Sequence, residues 1–240
     1  MISKANWKTW VILGAAVALF VTSGGLLMAS NMGFKINTSL KNNFALGAAP
    51  TGDNWRCLPW NSPNTTFTNF CNTFTAQGAA KANVTLATIN SGTGATTSVA
   101  CSIGSGTAIN ATSGVRIRIG GTGACPGASC SPSNVVIVGS SNETALFPTI
   151  IGGFALGAAP KGDNWICPPY HTTWTKASDV CTTFGLGAGT TITRIESNTG
   201  ASSTLTCPAI GVNFSLVIGE SIRIRKVPAG NVAPIAPPHF

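Results

Sequence analysis

Phe44-Ala-Leu-Gly-Ala-Ala-Pro-Thr-Gly-Asp-Asn-Trp55 recurs later in the chain as Phe154-Ala-Leu-Gly-Ala-Ala-Pro-Lys-Gly-Asp-Asn-Trp165. The two copies differ at one position, Thr51 against Lys161, and lie 110 residues apart in a chain of 240. Chance does not produce such a match, so the sequence indicates the duplication of a unit of roughly one domain's length. A solenoid needs at least about three repeats to bury its faces, so the duplication predicts a tandem pair.

The correspondence continues downstream, first at the same offset and then at slightly shorter ones. The matching pairs are Cys57/Cys167, Trp60/Tyr170, Cys71/Cys181, Cys101/Cys207 and 115–118/222–225. Insertions therefore fall between the pattern positions. The predicted organisation is a signal peptide at 1–30, β-rich repeats at 31–132 and 133–227, and a Pro-rich, extended tail at 228–240.

Short alternating runs favour β-strands throughout. Residues 31–43 alternate as a lead-in strand, which residues 141–151 repeat, and the runs 84–102 and 190–207 each predict a hairpin. Val135–Val138 predicts a further strand. The predicted fold is mainly β, with α+β at the margin: two tandem, homologous, β-sandwich-like domains, each with one short helix.

The helix is clearest in the second copy, over residues 175–184. Ala177, Val180, Cys181 and Phe184 follow the i, i+3, i+4, i+7 spacing of one apolar stripe. Thr175 is the expected N-cap, and Asp179 falls where negative charge suits the helix dipole. The first copy, 65–74, predicts a weaker version.

The first 30 residues resemble an export signal, with Lys4 and Lys8 followed by an uncharged, apolar run from Trp10 to Met28. Cleavage is expected near Ala29 or Ser30, with an uncleaved anchor as the alternative. Charged residues make up only 8% of the chain, against about 25% in ordinary soluble domains. The formal net charge of +8 is spread without a dense patch, which argues against nucleic-acid binding.

Eight cysteines in an exported chain predict disulfides. Helix and hairpin positions favour Cys71–Cys101 and its copy Cys181–Cys207, and Cys125 and Cys130, which have no copy, are expected to pair. Cys57 and Cys167 then either bridge the two repeats or remain buried thiols. The rival scheme joins Cys57 to Cys71 and Cys167 to Cys181.

Chemistry-bearing patterns are few. No metal-ligand spacing, haem-attachment motif, nucleophile elbow or phosphate loop is present, so no catalytic residue, metal or cofactor is predicted. Asp53 and Asp163 are interpreted as turn residues, with a calcium or catalytic role as the alternative. Trp55 and Trp165 are expected to anchor the core.

Two surfaces are candidates for binding. The closing strands carry basic stripes, Arg116 with Arg118 and Arg223 with Arg225. These either form an exposed strand face that discourages edge pairing or bind an anionic polymer. The aromatic residues Trp60, Tyr170 and Trp174 either pack within the protein or stack on sugar rings.

Each unit runs Asn-Trp-x-x-x-Pro, a Cys-bearing helix and a hairpin ending in Cys, and the second copy closes with Phe-x-x-x-x-Gly-Glu-x-Ile-x-Ile. With 31–37 and 237–240, this pattern resembles uncharacterised secreted bacterial proteins built from tandem, small, disulfide-bonded β domains. The first copy departs from it, because its closing turn lacks Glu and it carries the insertion with Cys125 and Cys130. The resemblance implies no catalytic residues.

The function expected from these observations is that of an exported, non-enzymatic structural or cell-surface protein, including a self-assembling filament or matrix subunit. Its partner would be itself or a cell-surface polymer, and it would meet the membrane only through its export signal. The alternative is an extracellular module that binds carbohydrate or another polymer. A hydrolase is the third hypothesis.

Overall fold

The computed structural model describes residues 33–40, 53–76, 84–119, 133–140, 145–153, 161–196 and 200–236. Every described helix and strand lies within the compact unit Phe34–Phe240. The predicted signal peptide and the Cys125/Cys130 pair lie outside the described residues. Within the described ranges, no helix has the length and apolar character needed to span a membrane.

This unit is rich in antiparallel strands, with two short helices in its described part, which confirms the mainly β fold class. The elements are β1 (Phe34–Leu40), β2 (Asn54–Arg56), α1 (Phe67–Ala76), β3 (Val84–Ile89), β4 (Thr96–Ala100), β5 (Val115–Ile119), β6 (Ser133–Gly139), β7 (Asn164–Ile166), α2 (Ala177–Thr183), β8 (Thr190–Ile195), β9 (Ser202–Thr206), β10 (Ile210–Gly211) and β11 (Ile222–Lys226).

The strands form three sheets with the orders β1-β6, β2-β5-β3-β4 and β7-β11-β8-β9-β10. In both larger sheets a short Trp-bearing strand pairs with the closing strand of its copy, which pairs in turn with a hairpin. Both predicted hairpins, β3–β4 and β8–β9, are present. Strand order is therefore the same in the two copies, apart from the additional edge strand β10.

Alternation divides the strands into an apolar side and a polar side. Val115, Ile117 and Ile119 of β5 are buried, whereas the intervening arginines are partly exposed. The apolar side of the first sheet packs on three phenylalanines of α1 (Phe67, Phe70 and Phe74), which are at most 1% exposed. Each such side chain contributes about 1.5–3 kcal/mol by leaving water. This set of residues is called the first core, and its counterpart around α2 the second core.

The sequence-based boundary at residue 133 separates two strands that pair with each other. β6 runs antiparallel to β1 over their full lengths, and its Val135 and Ile137 lie in the first core. The second copy has a similar arrangement, because Ile150 and Val232 exchange two backbone hydrogen bonds. In each copy a segment beyond the closing strand therefore returns beside the lead-in.

Local differences from the sequence-based predictions have local causes. Helix α2 begins at Ala177 rather than near Thr175, because the Asp179 carboxylate accepts hydrogen bonds from the backbone N–H groups of Thr175 and Lys176 and fixes them ahead of the first turn. The tail bends at 228–230, and residues further along it hydrogen-bond to 147–150. Leu146 is exposed, and its neighbour Phe147 is buried instead.

Candidate functional site

The two copies meet where each short Trp strand bonds to the other copy's closing segment. Along the free edge of β2, the backbone N–H of Cys57 donates to the carbonyl of Gly219 (2.9 Å), and the N–H of Ser221 donates to the carbonyl of Trp55 (3.3 Å). Strand β2 is therefore bonded on one side to its own closing strand and on the other to the segment that leads into β11.

The reciprocal contacts occur at β7. The N–H of Cys167 donates to the carbonyl of Thr112 (3.0 Å), and the N–H of Gly114 donates to the carbonyl of Trp165 (3.1 Å). Because equivalent residues of the two copies make equivalent bonds, the junction has the form of an isologous, two-fold interface within one chain. Such an interface is closed, because the binding surface of each copy is already occupied by the equivalent surface of the other copy.

Equivalent side chains meet at the centre of this junction. Cys57 and Cys167 form a disulfide with their Cα atoms 5.3 Å apart. The rings of Trp55 and Trp165 stack with centroids 3.5 Å apart and planes within 4°. Both Trp side chains are buried, as predicted, but against each other rather than in either apolar core.

The other two described disulfides are Cys71–Cys101 and Cys181–Cys207, as the preferred scheme predicts. Of the alternatives for Cys57 and Cys167, the structure forms the bridge between repeats. The rival scheme, Cys57–Cys71 with Cys167–Cys181, is wrong.

A charged cluster lies on the polar side of the first sheet, beside the Trp stack. Because Asn54 pairs with Ile117, the preceding residue Asp53 lies opposite Arg118. The Arg118 guanidinium donates from Nε and Nη2 to the two carboxylate oxygens of Asp53, and Arg116 Nη1 lies 4.0 Å from the same carboxylate. Asp53 is only 4% exposed.

The second copy repeats the cluster with Asp163. Arg225 donates to Asp163 Oδ1 from Nε (2.8 Å) and Nη2 (2.5 Å), and Arg223 Nη1 lies 3.8 Å from Oδ2. In both copies the turn aspartate is thus a buried counter-ion for two arginines. This assigns Asp53 and Asp163 an ion-pairing role beyond the turn role predicted from sequence.

These clusters alter the interpretation of the basic stripes. The four arginine side chains are only 13–24% exposed, so they form neither the predicted exposed strand face nor an open polycation surface. Burial, reinforced by the neighbouring Arg118, lowers the pKa of Arg116 against the opposing pull of Asp53. Burial likewise lowers the pKa of Arg223.

The aromatic residues proposed for sugar stacking lie largely inside the protein. Trp60 (7% exposed) packs edge-on to Phe147 in the second core. Trp174 (5% exposed) stacks on the same ring, and its Nε1 donates to Thr183. Tyr170 packs against the first core, and burial raises its pKa. Trp60 and Tyr170 therefore each reach into the other copy's core, and the predicted stacking surface is not formed.

A groove of about 350 Å³ opens beside Trp60. One wall comes from the loops before α1 and β5 of the first copy, including Asn64, Asn110 and Thr112. The other comes from the second copy's lead-in, including Leu146 and Pro148. This groove lies next to a residue that the sequence singled out, but its polar wall was not predicted.

The described residues include no group of three His, Cys, Asp or Glu side chains close enough together to hold a metal ion. The six cysteines described are all in disulfides. Comparisons with protein-family models, curated proteins and solved structures found no match to the chain. The resemblance to secreted bacterial tandem β domains therefore stays a prediction.

Proposed function

We propose that this chain is an exported, non-enzymatic structural protein of a bacterial cell surface or extracellular matrix that assembles with further copies of itself. The observation that carries the proposal is the placing of the three described disulfides, one within each copy and one across their junction. Disulfides persist in oxidising compartments. Cross-links spread in this way suit a subunit that keeps its shape outside the cell.

The outer sheet edges support self-association. Among the described strands, β4 and β10 lie at the sheet ends opposite β2 and β7. Thr96, Thr97 and Ser98 of β4 are exposed, and beside β10 Ile210 and Val212 are 71% and 59% exposed. Neither edge strand carries a charge or a proline, the devices that ordinarily prevent strands of different molecules from pairing.

Strand addition at these edges is the proposed mode of assembly. Donation of residues 31–41 to a neighbouring subunit is a less suitable mode, because β1 is already paired with β6 of its own chain over seven residues. The junction between the copies is a closed two-fold interface, so it cannot add further subunits to a polymer either.

Electron microscopy of the secreted protein, with light scattering after size exclusion, tests the proposal. The wild type should form regular filaments or sheets. Ser98→Lys, which places a charge on the β4 edge, should abolish them, whereas Thr182→Lys on the exposed face of α2 should leave them intact. A wild type that remains monomeric at every concentration contradicts assembly, and polymers unaffected by Ser98→Lys contradict the β4 edge as the contact.

A further inference from the structure

The outer edge of β4 carries backbone groups that have no hydrogen-bond partner among the described residues. At one end of the β3–β4 pair, the N–H of Cys101 donates to the carbonyl of Val84 (2.8 Å). Because inward and outward groups alternate along an antiparallel strand, Thr97 bonds to β3, whereas Thr96 and Ser98 turn their N–H and C=O groups away from it. All three residues are exposed, so another chain can reach these groups.

The second copy shows what such an edge is suited to bind. Thr204 of β9 stands at the position of Ser98, and its carbonyl accepts a hydrogen bond from the N–H of Val212 (3.0 Å), next to β10. In the first copy the chain turns away after β4 instead, where the N–H of Ile103 donates to the carbonyl of Ala100 (3.0 Å). The first copy therefore lacks the antiparallel strand that covers its equivalent, and a strand from outside fits there.

The β4 edge is complementary to itself. When two β4 strands run antiparallel about a two-fold axis at Thr97, Thr96 of each strand lies opposite Ser98 of the other. Each of these two pairs exchanges both of its backbone hydrogen bonds, so the contact has about four hydrogen bonds. No charged side chain occurs from residue 95 to residue 104, so no like charges meet. Thr and Ser side chains lie opposite each other instead, a favourable cross-strand pairing.

The β10 edge is a poorer partner for β4. The N–H of Val212 points towards β9, so alternation leaves Gly211 as the residue of the two-residue strand Ile210–Gly211 that faces outwards. One outward residue exchanges about two hydrogen bonds with β4, against about four for a second β4.

We propose that β4 pairs antiparallel with β4 of a second copy of this chain, with the two-fold axis at Thr97. The inference rests on self-association as the proposed function and identifies the first contact of that assembly. A two-fold contact is closed, so this one yields a dimer. Growth of the dimer into a filament then uses a second contact, at β10.

Cysteine cross-linking of the full secreted protein tests the register. Opposite residues that are not hydrogen-bonded to each other have Cα atoms about 4.5 Å apart, within the reach of a disulfide. Thr97→Cys should therefore give a disulfide dimer in which non-reducing peptide mapping joins position 97 of the two chains. Thr96→Cys is the matched control and should stay largely unlinked, because the two copies of position 96 lie on a diagonal about 7–8 Å apart.

Light scattering after size exclusion measures the contact without an added thiol. The mass of the wild type should rise towards twice that of the monomer as the concentration increases. Ser98→Pro removes an outward N–H that β3 does not use, on an edge strand, where proline is tolerated. The two-fold axis doubles the loss to two hydrogen bonds, so dimerisation should weaken about ten- to a hundredfold.

The outcomes separate this contact from the proposed function. Equal cross-linking of Thr96→Cys and Thr97→Cys overturns the β4 pair, as does a Ser98→Pro dimer of wild-type strength. Dimers joined at position 97 that never form filaments support the β4 pair and contradict a filament as the function. Filaments without a link at position 97 support self-association and overturn the β4 pair, and a wild type that stays monomeric overturns both.

Discussion

Replacing Asp163 by Asn should destabilise the protein strongly, although the side chain keeps its size. The carboxylate is 6% exposed and holds Arg225 at 2.5 Å and Arg223 at 3.8 Å. Asn keeps one acceptor oxygen but leaves two guanidinium groups beside a neutral amide. Removing one partner of a buried ion pair costs about 3–5 kcal/mol. Because Arg223 remains 24% exposed and keeps part of its hydration, we expect the lower end, about 3 kcal/mol.

Urea unfolding with disulfides intact, followed by Trp fluorescence, measures this loss. A change of about 3 kcal/mol should lower the unfolding midpoint by roughly 1–3 M, since slopes for proteins are about 1–3 kcal/mol/M. Glu196→Gln is the control, because Glu196 is 45% exposed and its pair with Arg194 lies at the surface, where ion pairs contribute about 0–1 kcal/mol.

The origin of the loss is tested by adding Arg225→Met to Asp163→Asn. If the unpaired charge causes the instability, the double variant should recover part of the lost stability, because it removes a guanidinium group that the amide leaves without a counter-ion. An Asp163→Asn variant within about 1 kcal/mol of the wild type would refute the reasoning, and so would a double variant less stable than the single one.

Three further predictions concern the junction and the helix. Replacing Cys57 and Cys167 together by Ser should lower the free energy of unfolding by about 4–5 kcal/mol, the chain-entropy value for closing a loop of 110 residues. Unfolding in guanidinium measures this loss, and a loss under about 1 kcal/mol contradicts a stabilising role for the disulfide. Gly114→Ala should cost about 1–3 kcal/mol, because its Cβ would overlap the Ser221 side chain. Adding Ser221→Gly should restore part of that in the same assay, and a fully stable Gly114→Ala protein contradicts the close approach. Partial burial opposes ionisation of Asp179, but hydrogen bonds from Thr175 and Lys176 outweigh it and hold the pKa below its ordinary value. The stability that Asp179 adds over Asp179→Asn should therefore be complete above about pH 4 and disappear as the pH falls through the lowered native pKa, whereas a pH-independent difference contradicts the assignment.

Local patterns in the sequence predicted local structure well. The buried stripe of α2, both hairpins and the alternation of β1 and β5 each depend on residues a few positions apart, whose periodicity the chain displays directly. The positions of Cys71 on the helix and Cys101 on the hairpin favoured their pairing over the rival scheme, and the structure confirms it.

The polar side of the sheets was harder to interpret, because its partners are distant in sequence. Arg118 and Asp53 are 65 positions apart, and alternation alone shows that an arginine points away from the apolar side, not what it meets there. A signal was nevertheless present, since both copies place an aspartate just before the Trp strand and two arginines at alternate positions of the closing strand. Paired charges repeated by duplication indicate a structural ion pair better than a binding surface.

Contacts between the copies could not be predicted from either copy alone. Val135–Val138 predicted a strand, but the sequence did not show whether that strand pairs with the first copy or the second. The structure pairs it with β1 of the first copy. Trp60 and Tyr170 occupy loops next to prolines, where an aromatic ring resembles an exposed residue, yet each is covered by the neighbouring copy. Amino-acid composition gives no indication that each of these side chains packs into the core of the other copy.

The bridge at the junction sets an order for maturation. Cys71 and Cys181 find their partners 30 and 26 residues later, whereas Cys57 precedes its partner by 110 residues. If the chain enters an oxidising compartment N-terminus first, as proposed, Cys57 has no native partner while the first copy folds. Early closure of Cys71–Cys101 removes the nearest wrong partner during that wait. The Cys57–Cys167 bond then forms only after both copies have been delivered and docked, so its presence distinguishes a finished molecule from a half-made one.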